Sequence, residues 1–470
     1  MNVTNFDCIV IGAGPAGLAA ACAARDCGLE VALLDEQAAP GGQLFRNVES
    51  PLAQRLLDEK DRRTGLDLVA RFRAGGTDYR PRSTVWAIDG KAVSYSRNGV
   101  SERITASHII LAPGGMERPV PFPGWTLPGV MGAGGMDILL RSDCLPPLDR
   151  QHPVVLCGNG PLLLLLACHL LDAGAPVAAW LDTGDTLRRL AALPHMPAAL
   201  GDRPYLAKGL RMARRVLSSG IPIIRNVRSL RAEGDGHVEQ VRYTAGKGEQ
   251  RLPAGMLLRH EGIIPRTHIP NALDLAMTWD EVQRCWHPAT DIHGRTSCEY
   301  ISVAGDSAFV HGGDASLLKG TLAGIDAARR LRVISEAEAA RRGDAALREL
   351  RRMEWARGFL RHIFAPHPDI FDVPDETIIC RCENVSAGDI RAAVKEGFTN
   401  VNEIKRFTRC GMGPCQGRMC GPALAELAAQ ASGLPPRQVD MLHVRMPFRP
   451  VPLNEYCTLN GLGYEENHTA

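Results

Sequence analysis

The stretch of sequence that decides the fold is CIVIGAGPAGLAAACAA, residues 8–24. An apolar strand runs into a glycine-rich turn, and an alanine-rich helix follows. Gly12 allows the tight turn, Gly14 lets the backbone approach a pyrophosphate, and Gly17 lets the helix pack closely on the strand. The helix N-terminus would then face the phosphate charge. The residues expected to line the pyrophosphate are Gly12, Gly14, Pro15, Ala16 and Gly17.

The segment after this helix supports the same interpretation. A second apolar strand, residues 31–34, ends at Asp35 and Glu36. An acid at this position can accept hydrogen bonds from an adenosine ribose. A lone G-x-G-x-x-G pattern is weak, but here strand, turn, helix, strand and acid follow in order. The alternative is a glycine-rich turn without a ligand.

Composition excludes several classes of protein. The 470 residues suggest roughly three domains at about 150 residues each. Lys plus Arg is 54 and Asp plus Glu is 52, so the formal charge of +2 argues against a nucleic-acid binder. The N-terminus lacks a secretory pattern, and the longest apolar run, residues 162–171, is too short for a transmembrane segment. We therefore expect a cytoplasmic protein whose 14 cysteines are reduced thiols or metal ligands.

Further motifs resemble those of flavoproteins with two dinucleotide-binding domains, such as thioredoxin and glutathione reductases. PGGQ at 40–43 resembles a segment that passes near the flavin, and VAGD at 303–306 resembles the second flavin motif. LAPGG at 111–115 and GIIP at 262–265 resemble the two crossings between the domains. The resemblance implies FAD as the ligand. The residues that it adds to the FAD site are Gly42, Gln43, Gly305 and Asp306, with the aspartate on the ribityl chain.

A second strand–turn–helix pattern predicts a Rossmann-like domain inserted in the first. It reads CGNGPLL at 157–163, and Asp182 ends the strand that follows its helix. Gly158, Gly160 and Asp182 are the candidate residues for a second nucleotide. Leu163 replaces the third glycine, which should push the helix away from the strand and alter the pocket. A retained scaffold or a site for another nucleotide is therefore favoured over NAD(P). The sequence contains no C-x-x-C pair, so disulfide reduction is not expected.

Cysteines concentrate near the C-terminus. They are Cys380, Cys382, Cys410, Cys415 and Cys420. A 2Fe–2S cluster needs four thiolates. The stretch resembles the bacterioferritin-associated-ferredoxin-like 2Fe–2S domain, and GMGPCQG at 411–417 favours Cys415 and Cys420 over Cys410. The implied ligands are then Cys380, Cys382, Cys415 and Cys420, with Cys410 as a nearby thiol. The alternative is structural zinc held by four thiolates.

Taken in order, these motifs resemble a narrower family over nearly the entire chain. It comprises the iron–sulfur subunits of opine oxidases, hydroxyproline or proline dehydrogenases and hydrogen cyanide synthase. The resemblance implies an electron-transfer subunit with FAD and a 2Fe–2S cluster. A partner FAD subunit would take a hydride from the carbon beside an amine nitrogen. The same resemblance implies a small third subunit, an FMN at the subunit interface and an external acceptor. The hetero-oligomer would be either independent of the membrane or loosely associated with the inner membrane through that acceptor.

Two other functions stay open on the sequence alone. One is a self-sufficient NAD(P)H-dependent reductase, and the other is a redox-inert scaffold that keeps the motifs. No residue is assigned a catalytic role. The expected fold class is α/β, with two Rossmann-like domains and a small helical 2Fe–2S domain. The expected boundaries are a FAD-binding domain at 1–125 and 266–330, an inserted domain at 126–265, a helical linker at 331–375, the cluster domain at 376–435 and a tail at 436–470.

Overall fold

The computed structural model describes residues 4–142, 144, 151–246 and 248–459. Its first part builds the unit that residues 8–24 predict. Helix α1 begins with Pro15 directly after the turn, and nine of its residues are buried. The elements of this part are β1 (Thr4–Ile11), α1 (Pro15–Asp26), β2 (Val31–Leu34), α2 (Pro51–Leu56), α3 (Glu59–Arg73), β3 (Asp78–Arg80), β4 (Thr84–Asp89), β5 (Ala92–Arg97), β6 (Val100–Leu111) and β7 (Gly115–Glu117).

The second part, which follows β7, contains the second turn. Strand β9 leads into the helix α5, which is apolar on nearly every face and largely buried. The elements are β8 (Val130–Gly132), α4 (Ala133–Arg141), β9 (Val154–Gly158), α5 (Pro161–Asp172), β10 (Val177–Asp182), α6 (Thr186–Ala191), α7 (Met196–Ala199), α8 (Arg203–Ser218), β11 (Ile223–Arg225), β12 (Arg228–Glu233), β13 (Gln240–Ala245), β14 (Gly248–Pro253), β15 (Met256–His260) and β16 (Ile263–Pro265).

The chain then returns to the first sheet and continues into two long helices. The 28-residue helix α11 starts at a Ser335 cap, whose side chain accepts a hydrogen bond from the backbone of Glu338. The elements are α9 (His268–Ala272), β17 (Met277–Asp280), β18 (Cys285–Pro288), β19 (Ile301–Val303), α10 (Gly313–Arg330) and α11 (Glu336–Ile363).

A small helical module with its own core follows. Ser386 and Asp389 form a reciprocal cap at the start of its first helix. The elements are β20 (Ile378–Cys380), β21 (Val385–Ser386), α12 (Ala387–Lys395), α13 (Val401–Thr408), α14 (Gly421–Ser432), α15 (Pro436–Val439) and α16 (Leu453–Thr458). The segment beyond α15 runs back to the first sheet, where Phe448 donates its backbone N–H to the carbonyl of Trp86 at 2.7 Å.

Sheet topology separates the two nucleotide-binding units. In the described residues the first sheet has the order β3-β2-β1-β6-β5-β4, and β19 pairs with β6. The second has the order β11-β10-β9-β15-β8, with parallel pairs throughout. β7 and β16 pair antiparallel, so the outward and return crossings lie side by side. The second Rossmann-like unit is therefore inserted within the first.

Two further features of the fold bear on the site. Helices α1 and α10 approach closely because α10 carries Gly320, where a Cβ would overlap the carbonyl oxygen of Ala16. This contact holds the turn at residues 12–17 against the segment that follows β19. No helix within the described ranges is both long enough and apolar enough to cross a bilayer.

Candidate functional site

The first glycine turn has the geometry of a phosphate-binding loop. Gly12 has φ +110°, and a Cβ there would lie 2.9 Å from the carbonyl carbon of Ala112. A Cβ at Gly17 would overlap the carbonyl oxygen of Gly12. Gly14 differs, because its φ is −75° and the nearest protein atom to a Cβ would be the Cα of Gly42, at 3.8 Å. The fold itself requires glycine at 12 and 17, whereas at 14 only a bound group would require it.

The acids after β2 have different surroundings. Asp35 accepts hydrogen bonds from the backbone N–H groups of Ala13, at 2.5 Å, and Gln37, at 2.6 Å. Burial raises the pKa of Asp35, although these two N–H groups oppose the shift. Asp35 therefore braces the glycine turn. The neighbouring carboxylate of Glu36 forms an ion pair with Arg449 at 2.8 Å.

The second flavin motif lies against the first turn. A Cβ at Gly305, which has φ +76°, would lie 2.5 Å from the Cβ of Ala16. Asp306 Oδ1 accepts hydrogen bonds from the N–H groups of His311 and Gly312, each at 3.0 Å, and from Ser316 Oγ at 3.1 Å. Residues nearly 300 positions apart in sequence thus lie in contact beside the first turn.

The PGGQ segment also lies against the first turn. Gly42 has φ +60°, and a Cβ there would lie 2.6 Å from the Cα of Gly14. The side chain of Gln43 accepts a hydrogen bond from Arg46 Nη2 at 3.3 Å. The close backbone approach at Gly42 brings this segment directly onto the glycine turn.

The protein's own side chains fill the second turn. Gly160 has φ +143°, unlike Gly14, and a Cβ there would lie 2.8 Å from the imidazole of His260. His260 is buried and its Nδ1 lies 2.6 Å from Glu117 Oε1. Leu163, at the place of the third glycine, is fully buried in the core between α5 and its neighbours. The second turn therefore differs from the first in its backbone conformation at Gly160 and in the side chain of His260 that covers it.

The acid of the second unit is also engaged. Both carboxylate oxygens of Asp182 accept hydrogen bonds from Arg189, each at 2.8 Å. The same guanidinium reaches Asn159 Oδ1 at 3.3 Å. An adenosine ribose at Asp182 would have to displace this arginine. Gly158, Gly160 and Asp182 lie together, but the side chains of His260 and Arg189 take the places where a nucleotide would contact them.

The C-terminal cysteines meet at one loop. The sulfurs of Cys380, Cys410 and Cys420 all lie within 4.8 Å of one another, and these residues are buried. Cys382 and Cys415 lie beside each other closer to the surface. The expected set of four is thus split, and Cys410 joins two of its members. Hydrogen bonds from the thiols of Cys410 and Cys420 lower the pKa of Cys380 to about 2, while the pKa values of both donors rise.

Glycines let the backbone crowd these sulfurs. A Cβ at Gly413 would overlap the Cβ of Cys382 and lie 3.1 Å from its sulfur. Gly411 and Gly417 have φ +89° and +81°, and Leu442 packs against both. Five thiols gathered at one loop, with backbone N–H groups around them, are suited to a soft metal or an iron–sulfur cluster.

Polar contacts fix the cysteine module on the rest of the chain. Arg284 forms an ion pair with the buried Glu426 of α14. Two further contacts reach main-chain oxygens next to the cysteines, namely Trp125 Nε1 to the Ile378 carbonyl at 2.7 Å and His268 Nε2 to the Gln416 carbonyl at 2.9 Å. Burial lowers the pKa of His268 to about 4, so it is neutral near pH 7 and donates this hydrogen bond.

Comparison with known proteins shows that the chain is a flavoprotein oxidoreductase. The model of the pyridine nucleotide-disulphide oxidoreductase family matches residues 6–340, and that of the sarcosine oxidase A3 domain matches residues 375–458. Among solved structures, L-proline dehydrogenase from P. horikoshii superposes with a TM-score of 0.72 at 20% identity, over 96% of this chain and 80% of that one.

Full-length relatives place the chain more narrowly. An opine oxidase subunit from Agrobacterium tumefaciens (strain Ach5) is 38% identical over 97% of this chain and 92% of its own. The hydrogen cyanide synthase subunit HcnB from Pseudomonas aeruginosa is 31% identical over 97% of this chain and 99% of its own. The chain belongs to the family of these oxidoreductase subunits. The family resemblance found in the sequence is confirmed.

Sequence reasoning missed four contributors to these sites. They are Arg449 on Glu36, His260 and Glu117 over the second turn, and Arg189 on Asp182. Each is an ordinary charged or polar residue that no local pattern singles out. Only Leu163 signalled that the second turn departs from the first.

Proposed function

We propose that this chain is the FAD- and 2Fe–2S-carrying electron-transfer subunit of a multi-subunit dehydrogenase. That enzyme would oxidise an amino acid or an opine-type secondary amine on a partner FAD subunit. One observation carries the proposal: an open first turn and a cysteine cluster lie in one chain whose second nucleotide turn is filled by its own side chains. The names of the relatives, opine oxidase and hydrogen cyanide synthase, support the substrate class.

FAD would be held by the residues that meet at the first turn. The pyrophosphate would lie against the backbone at Gly14, with Gly12 and Gly17 shaping the turn and the N-terminus of α1 behind it. Asp35 already binds two backbone N–H groups and Glu36 is paired with Arg449, so a ribose would meet Glu36 together with this arginine. Asp306 has one carboxylate oxygen on three donors and would use the other on the ribityl chain. When bound, the flavin supplies two-electron acceptance and one-electron release.

The cluster would take four of the five thiols, namely Cys380, Cys382, Cys415 and Cys420. All donors in the site are thiols, which is the donor set that iron–sulfur clusters require. Cys410 would remain a fifth, adjacent thiol. Cys415→Ser should therefore lose iron and sulfide, whereas Cys410→Ser should keep both. Loss of the cluster in Cys410→Ser with retention in Cys415→Ser would reverse the assignment, and stoichiometric zinc in place of iron would refute the cluster.

The direction of electron flow follows from what the chain contains. Electrons would enter the flavin from the partner's substrate site and leave through the cluster to an external acceptor. An FMN at the interface with the partner would fit this order, as would a small third subunit. Direct entry from NAD(P)H is disfavoured because His260 and Arg189 fill the second turn.

Anaerobic mixing tests this assignment. The purified chain alone should keep its flavin oxidised in the presence of octopine, nopaline, proline or NADH. The chain together with its partner subunits should show flavin bleaching with one of the amines. Bleaching of the isolated chain by an amine would contradict the proposal, and rapid bleaching by NADH or NADPH would favour a self-sufficient reductase. Protein that holds no flavin when freshly purified would instead indicate a redox-inert scaffold.

A further inference from the structure

Three arginines from distant parts of the chain connect the first glycine turn with the cysteine loop, residues 409–420. Arg266 follows β16, Arg418 lies in the loop itself, and Arg449 lies in the segment between α15 and α16. Arg449 reaches the side of the glycine turn, where it pairs with Glu36 at 2.8 Å. These three residues are called the arginine trio below.

Hydrogen bonds hold the three segments of the trio together. His268 Nε2 donates to the Gln416 carbonyl at 2.9 Å, and Gln416 Nε2 donates to the Pro447 carbonyl at 2.8 Å. Each arginine of the trio is two residues along the chain from one of these three bonded residues. The fold therefore keeps the three arginines near one another.

Most of the positive charge of the trio is unmatched. Among the described residues, the side chains of Arg266 and Arg418 make no hydrogen bond and no ion pair. Burial lowers the pKa of both guanidiniums, and Arg449 lowers it further, while Glu36 acts in the opposite direction. Both stay protonated near pH 7, because arginine has an ordinary pKa above 12. Like charges held close together favour any negative charge placed beside them.

The other charged groups nearby do not cancel this charge. Residues 405–420 contain four basic residues and no acidic one. Glu383, from the segment that carries the C-x-C pair, is already paired with Arg409 at 2.8 Å. On the side of the glycine turn, Arg46 adds a further positive charge beside Arg266, and Asp35 already accepts two backbone N–H groups. The trio therefore keeps a positive potential around the cysteine loop.

This potential would act on the proposed iron–sulfur cluster more than on the flavin ring. Arg418 is three residues from Cys415 and two from Cys420. On the FAD side the trio reaches only Glu36, at the adenosine end. The flavin ring is at the opposite end of FAD, beyond the ribityl chain assigned to Asp306. Water and salt screen charges that are separated by more than about 10 Å, so the ring would feel little of this potential.

We propose that the arginine trio biases electron transfer toward the iron–sulfur cluster, because it stabilises the negative charge that one electron adds there. This inference rests on the proposed function. In each transfer the reduced flavin loses one electron and the oxidised cluster gains one, so negative charge moves toward Arg418. Net charge is one of the factors that set the potential of such a cluster. The trio therefore favours electron flow from the flavin to the cluster and opposes its return.

The test measures the midpoint potentials of flavin and cluster in the fully loaded chain by spectroelectrochemistry. Arg266→Met and Arg418→Met should each lower the potential of the cluster. The equilibrium constant for transfer from flavin to cluster should fall about tenfold, which is about 59 mV for one electron. The potential of the flavin should move by less than about a third of that shift.

Two comparison variants separate charge from packing. Arg418→Lys should keep the potential of the cluster near that of the wild type, because it keeps the charge. Arg406→Met should also leave it unchanged, since Arg406 belongs to the same module but is exposed on α13. Glu36→Gln removes the carboxylate that pairs with Arg449 and should raise the potential of the cluster. A structural role alone would not produce this change of sign.

Iron, sulfide and FAD content and the thermal midpoint are measured alongside. Unchanged cluster potential in both methionine variants would overturn the inference, and so would equal shifts of the flavin and cluster potentials. If Arg418→Met loses its iron, Arg266→Met carries the same test from outside the loop. Loss of iron and sulfide from both variants would show a structural role and would also overturn it. Wild-type protein without iron and sulfide would instead contradict the proposed function.

Discussion

Replacing Gly14 with alanine should separate FAD binding from folding. The backbone at Gly14 is extended, with φ −75° and ψ −179°, which alanine adopts readily. Its Cβ would meet no protein atom closer than 3.8 Å. The free energy of unfolding of the apoprotein should therefore change by less than about 1 kcal/mol, toward higher stability. The new methyl group would stand where the backbone must approach the pyrophosphate.

The effect on FAD should be large. Losing one charge-assisted hydrogen bond to a phosphate costs about 3 kcal/mol, which is about a 100-fold rise in the FAD dissociation constant. The dissociation constant is measured by flavin fluorescence during titration of apoprotein, and stability by urea unfolding of the same sample. Wild-type FAD affinity in Gly14→Ala would refute the placement of the pyrophosphate at this turn.

Gly17→Ala is the matched comparison. Its Cβ would overlap the carbonyl oxygen of Gly12, so the helix must move away from the strand. Overpacking of this kind costs about 1–3 kcal/mol of stability. Gly17→Ala should therefore lose both stability and FAD, whereas Gly14→Ala should lose FAD alone. Equal destabilisation of the two variants would show that both glycines serve only the fold.

Three further predictions concern the cluster, stability and nucleotide use. Gly413→Ala should remove most of the iron and sulfide, because its methyl group would overlap Cys382. Gly421→Ala, the control, should keep both, and the two variants should have equal FAD content. Burial by itself would raise the pKa of Asp326, but ion pairs with three arginines hold this pKa well below its usual range. Asp326 therefore contributes stability above about pH 4, which is lost as the pH falls. Asp326→Asn should cost about 3 kcal/mol in urea unfolding at pH 7, and this cost should shrink as the pH falls below about 4; an equal cost at pH 7 and pH 3 would contradict the assignment. Arg189→Ala should leave the flavin unreduced by NADH, because a buried imidazole still covers the second turn, and rapid bleaching would show that the arginine alone closes that site.

The first βα unit could be predicted because its physics is local. Gly12 adopts φ +110°, and a Cβ at Gly17 would overlap the carbonyl oxygen of Gly12, so both requirements arise within the turn itself. The close packing of α1 against β1 follows from those glycines and from the small side chains after them. The second turn could be located for the same reason, and Leu163 correctly signalled that it differs. The inserted arrangement followed from the order of such local motifs along the chain.

The contacts that decide what each site can do are long-range. Glu36 meets Arg449, which is 413 residues away. Nothing in the sequence around either residue selects this partner, since any surface arginine would pair equally well. Arg189 is only seven residues from Asp182, but its pairing with that acid depends on how α6 is placed relative to β10. Such contacts require the three-dimensional fold.

In the cysteine module, some contacts could be predicted from the sequence and others could not. The motif spacing indicated that Cys380 and Cys420 belong together, and their sulfurs do lie close. Cys410 joins them directly after α13, which ends at Arg409 in the left-handed conformation with φ +66°. The direction of the chain after α13 depends on the backbone conformation of this one residue, and the spacing of the cysteines does not reveal that conformation.

An anaerobic reductive titration of the purified, FAD-loaded chain tests the central claim most directly. A flavin takes two electrons and a 2Fe–2S cluster takes one, so the chain should consume about three electron equivalents of dithionite, with flavin and cluster absorbance both bleached. Consumption of about two equivalents, with bleaching of flavin absorbance alone, would show that the cysteine module holds no redox-active cluster and would contradict the electron-transfer role.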